Sequence, residues 1–384
     1  MKTGWEIKPL GELCDILDNR RKPVTKSDRI AGPYPYYGAT GIQDFVSDFI
    51  FDEPLVLVGE DGAKWESGEN TAFPIEGKCW VNNHAHVLRP IRERLLDNWL
   101  IHFLNHSDLT EYVSGLTVPK LNQGSLREIR IPLAPIKEQH RIVTLLDEAF
   151  TDIATAKANA EKNLQNAREL FTRISGSVLA QYATTSQEIT LEDLVEPDCS
   201  LSYGIVQPGD EMANGLHIVR PVDMTTDVVM LDGLKRIDPA LANSYARTTL
   251  KGNDILLCVR GTTGTVTLAH SELAGANVTR GIVPIRFDPA KLSQRFGYYL
   301  LRSEPAQLQI QAKTYGTALQ QINIRDLRQL TLPVPAPQDQ EVIVQRLSAL
   351  EQETKQLTSV YENKLTALDD LKKSLLHQAF SGQL

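Results

Sequence analysis

Pro132-Leu133-Ala134-Pro135-Ile136-Lys137-Glu138-Gln139-His140-Arg141-Ile142 returns at an offset of 201 residues as Pro333-Val334-Pro335-Ala336-Pro337-Gln338-Asp339-Gln340-Glu341-Val342-Ile343. In both copies a strand-like apolar segment, Ile129 to Leu133 and Leu330 to Val334, runs into prolines that end a strand and can open a helix. Working outward, the same offset pairs Gly115 with Gly316, Leu121 with Ile322, Asn122 with Asn323 and Leu126 with Leu327. On the other side it pairs Leu146 with Leu347, Leu164 with Leu365 and Leu170 with Leu371, without a gap. A period this long marks a duplicated domain, not a stacked solenoid. The fronts of the halves match weakly, although Glu6-Ile7 through Leu13 and Glu188-Ile189 through Leu194 read as related openings.

The shared back predicts a long helix in each half. Ile142, Leu146, Ala149, Ile153, Ala156, Ala160, Asn163, Ala167, Leu170 and Ile174 follow alternating steps of four and three, the spacing of a coiled-coil seam. The second copy gives Ile343, Leu347, Leu350, Thr354, Leu357, Tyr361, Lys364, Leu368, Leu371 and Leu375. About 45 helical residues would span roughly 68 Å at ~1.5 Å per residue. Two equally long seams most economically cover each other, and the order of segments makes them antiparallel, returning the C-terminus to the first module. Asn163 and Lys364 are polar seam residues of the kind that set register. The expected fold is α+β: two tandem α/β modules separated by two long antiparallel helices forming a coiled coil, pseudo-two-fold symmetric. Boundaries are expected at 1–134, 135–182, 183–335 and 336–384.

At 384 residues the chain exceeds what one core usually serves. Its 42% hydrophobic and 23% charged residues suit a folding globular chain. No stretch approaches the ~20 apolar residues of a membrane span, and Met1-Lys2-Thr3-Gly4-Trp5-Glu6 lacks a signal-peptide core, so a cytoplasmic location is expected. Cys14, Cys79, Cys199 and Cys258 have neither disulfide nor zinc spacing and are expected to be reduced structural thiols. The net charge of −8 opposes nucleic-acid binding by the chain as a whole. It permits such binding where the reading surfaces are locally basic or a partner supplies the phosphate contacts.

The layout around Pro132 to Ile142 and Pro333 to Ile343 resembles the specificity subunits of type I restriction-modification systems. Three further stretches look like that family's target-recognition domains: Tyr36-Tyr37-Gly38-Ala39-Thr40-Gly41-Ile42 with Gly59-Glu60-Asp61-Gly62, then Asn82-Asn83-His84-Ala85-His86, and Tyr203-Gly204-Ile205-Val206-Gln207-Pro208-Gly209. The resemblance covers essentially the whole chain. It implies that each variable module reads one half of a split target in double-stranded DNA. The helices would space the halves and dock two methyltransferase subunits, with Ile142, Leu146, Ile153, Asn163, Leu170, Ile343, Leu347, Leu357, Tyr361 and Leu368 as seam and docking positions. It implies no cofactor on this chain: S-adenosylmethionine belongs to the methyltransferase partner, ATP and Mg to a restriction and translocase partner.

Catalytic readings find little support in the residues. An Asn/Asp-Pro-Pro-aromatic motif and a glycine-rich cofactor loop are both absent, as is a Walker-type Gly-Lys-Ser/Thr. Gly261-Thr262-Thr263-Gly264 and Pro197-Asp198 read as turns. His84 and His86 would share one side of a strand but lack a third metal ligand, so structural or DNA-facing hydrogen bonding is expected. Reading base edges calls for paired donors and acceptors on loops. In the first module Asn19-Arg20-Arg21-Lys22 offers Arg20, Arg21 and Lys22, and the turn from Thr117 to Gln123 offers Lys120 and Gln123. In the second, Gln207, Arg260, Thr262, Thr263, Gln320 and Gln321 are the candidates. Asn122 and Asn323 share a repeat position and are expected to be structural, since modules reading different sequences should differ where they touch bases. Each module should mix strands near Pro54 to Val58, Trp80 to Leu88, Asp254 to Val259 and Gly281 to Phe287 with helices near Leu95 to Leu104 and Gln294 to Leu301. Two rival readings remain: a degenerate or fused methyltransferase or nuclease, which would bind S-adenosylmethionine alone, and a coiled-coil adaptor without sequence-selective DNA binding.

Overall fold

The computed structural model describes residues 4–115, 117–183, 185–317 and 319–384. The chain divides into two units, Met1–Lys162 with Tyr361–Leu384 and Asn163–Val360. The first contains β1 (Glu6–Pro9), β2 (Cys14–Ile16), β3 (Ala31–Gly38), β4 (Gly41–Val46), β5 (Phe51–Asp52), β6 (Leu55–Gly59), β7 (Ala72–Ile75), β8 (Lys78–Val81), β9 (Ala85–Pro90), α1 (Asp97–His106), α2 (Gln123–Glu128) and β10 (Arg130–Leu133). Helix α3 (Ile136–Ala183) follows. The second unit holds β11 (Gln187–Thr190), α4 (Leu191–Leu194), β12 (Leu216–Val219), β13 (Val228–Val229), β14 (Arg236–Ile237), β15 (Ile255–Cys258), β16 (Val266–Ala269), β17 (Asn277–Val278) and β18 (Ile282–Ile285). It continues through α5 (Gln294–Arg302), α6 (Glu304–Ala312), α7 (Ile324–Arg328) and β19 (Thr331–Val334) into α8 (Pro337–Ser381). Among the described residues no helix is long and apolar enough to cross a membrane, and all four cysteines are free and buried.

Both units are built on one plan. A strand buried along its whole length, β6 in the first and β15 in the second, runs between two antiparallel neighbours: β9 and β7, or β18 and β16. A second sheet pairs β3 with antiparallel β4 and parallel β8, and correspondingly β12 with β14 and β17. The opening strand of each unit pairs with the strand before its long helix, Glu6 opposite Leu133 and Gln187 opposite Val334. That register aligns Glu6 with Gln187, one residue off the Glu6–Glu188 match suggested by residue identity. The run from Trp80 to Leu88 is not one strand: Asn82 Oδ1 accepts from His84 N–H at 2.8 Å, an Asx turn that separates β8 from β9.

The repeated glutamine fastens each long helix to its unit. Gln139 is fully buried, accepts from Leu96 N–H at 3.0 Å and donates to the carbonyls of Arg94 (2.7 Å) and Ala134 (2.8 Å). Gln340 makes the equivalent bonds to Ser293 N–H (3.0 Å), Lys291 O (3.0 Å) and Pro335 O (3.1 Å). In the first unit Trp99 donates to Pro132 O at 2.9 Å, and its ring meets Trp5 at 5.5 Å and Phe380 at 5.0 Å. Leu376 and Ala379 join that core, so the end of α8 returns to the first unit. There the helices run antiparallel: Lys157 pairs with Asp369 at 2.7 Å, while Lys372 lies over the Phe150 ring.

The buried line of each helix departs from the heptad reading. Ile142, Leu146, Ile153, Ala160, Leu164, Ala167 and Val178 are buried, whereas Asn163 and Leu170 face solvent. In α8, Ile343, Leu347 and Thr354 are buried, Tyr361 and Leu368 half-buried, and Leu357, Lys364 and Leu371 exposed. A heptad line on a straight helix drifts about 20° per heptad, so by Asn163, three heptads from Ile142, it has left the buried face by about 60°. Asn163 and Lys364 therefore do not set the register of a seam. Ile142 and Leu146 belong to the core of the first unit and Ile343 and Leu347 to that of the second, where none can dock a partner.

Candidate nucleic-acid interface

In each unit the chain approaches α2 or α7 through the same closed turn. Ser114 and Lys120 exchange backbone hydrogen bonds at 2.9 and 2.8 Å, and Tyr315 and Gln321 do so at 2.9 Å in both directions. Gly115 has φ +100° and Gly316 φ +101°, and an added Cβ would lie 2.4 Å from Val118 O or 2.3 Å from Leu319 O. Only glycine fits, which explains the repeated glycine. Asn122 caps α2 by accepting from Ser125 N–H at 2.9 Å, while Asn323 accepts from the Tyr315 hydroxyl at 2.6 Å. Both asparagines thus shape the turn.

Beneath the first turn lies a dense charged network. Arg21 is mostly buried, ion-pairs with Glu60 and donates to Ala85 O at 2.8 Å. Lys120 lies 2.9 Å from Glu60 and 3.8 Å from Asp61, which also meets His84. His86 is fully buried in β9, its Nδ1 2.6 Å from Asp18 and its Nε2 2.7 Å from Leu121 O. Gln123 donates to Asp18 at 3.0 Å. Burial pushes the Asp18 carboxyl up, but His86, the Val87 N–H and Gln123 more than offset it and hold it below the usual carboxylate range. Asp18, Glu60 and His86 are the one group of three potential metal ligands drawn together among the described residues. Arg21 and Lys120 already neutralise the carboxylates, so the donor set is that of an ion-pair network.

Arg21, Lys120 and Gln123 are thus drawn together by internal bonds, and this network is what sequence reasoning missed. Asp18 also pairs with nearby Arg21, but His86, Val87 and Gln123 lie far from it in the chain, and nothing in local spacing marks that meeting. Arg20, also exposed, donates to Ile50 O at 2.9 Å and covers the Phe51 ring. Lys22 is exposed, and its ammonium has no ion pair among the described residues.

The second unit brings its candidates together around the other turn with few internal bonds. Arg260 bridges to Gln321, and Gly261 N–H donates to Gln320 O at 2.8 Å, joining the Gly261–Gly264 turn to residues 315–321. The Arg260 guanidinium and the Gln320, Gln321 and Gln207 amides make no side-chain hydrogen bond among the described residues, and Gln207 and Gln320 are exposed. Thr262 donates to Cys258 Sγ at 3.4 Å, and the buried Thr263 hydroxyl has no hydrogen-bond partner among the described residues. The Tyr203 hydroxyl donates to Ile322 O at 3.1 Å.

A family model described as the type I restriction modification DNA specificity domain matches residues 2–164 and 227–367. A candidate type I restriction enzyme specificity subunit of Haemophilus influenzae is 38% identical over 142 residues, 37% of this chain and 36% of that protein. The EcoBI specificity subunit of Escherichia coli is 25% identical over 304 residues, 72% of this chain and 63% of its own length. The matched region therefore spans about a third of one relative and under two thirds of the other. Among solved structures, a chain from work on complex assembly and conformational transition of the type I R-M system superposes with a TM-score of 0.75 at 18% identity, covering 100% of this chain and 99% of that one. That likeness is one of fold.

Proposed function

The chain belongs to the type I restriction-modification DNA specificity family, and from that premise we propose that it reads a bipartite DNA target, one half-site per unit, for a methyltransferase complex. The observation that carries this reading is the duplicated turn: one backbone framework holds different exposed side chains in the two units, as two readers of different half-sequences require. The chain itself is non-catalytic in this reading. S-adenosylmethionine belongs to the modification partner, and ATP and Mg to the restriction partner. The docking surface for modification subunits is the solvent-facing apolar side of the helices, with Leu170, Ile174, Leu357 and Val360 on the second unit's stretches and Leu371 on the first's, all exposed.

The test is single-molecule methylation mapping of DNA from cells carrying the chain with its methyltransferase, against cells lacking only this chain. Loss of methylation at a split, two-part motif is the expected result. Unchanged methylation, with no binding of target DNA by the purified complex, would overturn the reading. Binding of S-adenosylmethionine by the isolated chain in calorimetry would favour an enzyme instead.

A further inference from the structure

Matched by their backbone bonds, the two units carry opposite charge at one place. In the first, Leu121 N–H donates to Glu60 O at 2.8 Å, Glu60 N–H donates to His84 O at 2.8 Å, and Asp61 bridges to Lys120. In the second, Ile322 N–H donates to Val259 O at 3.0 Å, Val259 N–H to Gly281 O at 2.7 Å, and Arg260 bridges to Gln321. Glu60, Asp61 and His84 therefore correspond to Val259, Arg260 and Gly281, and Asn83 corresponds to Arg280. Where the first unit holds Glu60 and Asp61, answered by Arg21, Lys120 and His84, the second holds Val259 and Arg260, and an arginine, Arg280, stands in place of the neutral Asn83. Neither guanidinium has an ion pair or hydrogen bond among the described residues.

Their backbones are nevertheless fixed. Arg260 lies two residues beyond buried β15 and is half-exposed. Arg280 is exposed, and its N–H donates to Ile205 O at 2.9 Å. A Cβ on Gly204 would strike Val278 O at 2.0 Å, so the segment after Tyr203 lies flat against this strand. Burial raises the Tyr203 hydroxyl above its ordinary value, while Arg280 and Arg260, near enough to act on it, pull the other way. Like charges brought together repel, and in a chain of net charge −8 with 48 acidic residues an acid to answer them is easily supplied. Instead the donors stay open, on backbone held by hydrogen bonds just beyond β15 and β17, with Arg260 bridged to Gln321. A guanidinium fork matches the O6/N7 edge of guanine and the oxygens of phosphate, both acceptors on DNA.

Resting on the DNA-reading function above, we propose that Arg260 and Arg280 are the DNA-contacting cation pair of the second unit, at the position where the first unit neutralises itself. The asymmetry makes the second half-site the one gripped by arginine here.

The experiment uses the full chain with its methyltransferase partner, in wild-type form and as Arg260→Ala, Arg280→Ala and Arg260→Lys. Methylation motifs are mapped, binding of the mapped target is measured across salt concentrations, and thermal unfolding is checked. Each alanine variant should weaken target binding roughly 5- to 150-fold, the range of one good bidentate contact, at unchanged unfolding temperature and with the first half-site intact. If the acceptor is guanine, the second half-site relaxes at one position and Arg260→Lys fails to restore it. If it is phosphate, the motif is kept, the salt dependence falls by about one ion per arginine lost and Arg260→Lys restores binding. Unchanged binding and motif in both alanine variants would overturn the proposal, as would altered bases in the first half-site. A wild-type complex that recognises no bipartite motif would sink the DNA-reading function itself, a result distinct from either.

Discussion

Gln139 and Asp18 show how unequally single residues declare themselves. Gln139 recurs as Gln340 in the repeat, and the structure gives both the same task, satisfying three backbone groups where a helix meets its unit. Gln139→Ala leaves Leu96 N–H and two carbonyls without their partner, and at about 1–3 kcal/mol for a buried group left unsatisfied it should destabilise the first unit by about 2–4 kcal/mol; urea unfolding would measure it, and a loss under about 1 kcal/mol would refute the clamp. Asp18 has no repeat partner to mark it. Its carboxyl is held below the ordinary range, so its contribution to stability is present above the unfolded value, ~3.9, and is lost as pH falls through the lower folded one. Asp18→Asn should therefore cost about 1–3 kcal/mol near neutrality, with the gap to the unaltered chain closing on acidification below about pH 4. A gap that stays constant down to pH 3 would contradict this.

At the scale of elements, the long helices were legible in kind and misread in phase. Proline-led starts and apolar periodicity predict them at 135–182 and 336–384, and α3 and α8 span Ile136–Ala183 and Pro337–Ser381. A heptad template, however, assumes a supercoil, and these helices bury a line closer to 3.6 residues per turn, placing Asn163, Leu170, Leu357 and Lys364 outside. Leu357 is thereby freed to meet a partner. Leu357→Asp should lower affinity for the methyltransferase subunit at least tenfold while leaving the unfolding temperature within about 2 °C, since an exposed side chain contributes little to its own unit. Size-exclusion chromatography with the partner, alongside calorimetry of the chain alone, separates the two effects. Undiminished assembly would move the docking surface elsewhere.

At the scale of the molecule, two units of one plan predict modular reading: replacing residues 1–130 with another module of this family should change one half-site in methylation maps and leave the other untouched. Altered recognition in both halves would contradict it. The whole-chain charge of −8 is no obstacle to such reading, because acids in the first unit are spent internally on Arg21 and Lys120 while Arg260 and Arg280 in the second stay open. The duplication, the long helices, their antiparallel order in the first unit and the structural use of Asn122 and Asn323 follow from the sequence alone, since repeats and periodicity are local patterns that survive without coordinates. What tertiary structure decided is which charges are available. Asp18 and Gln123, or Glu60 and Arg21, are distant in the chain and adjacent in space, and whether an arginine faces DNA or a buried carboxylate depends on where the fold brings its neighbours.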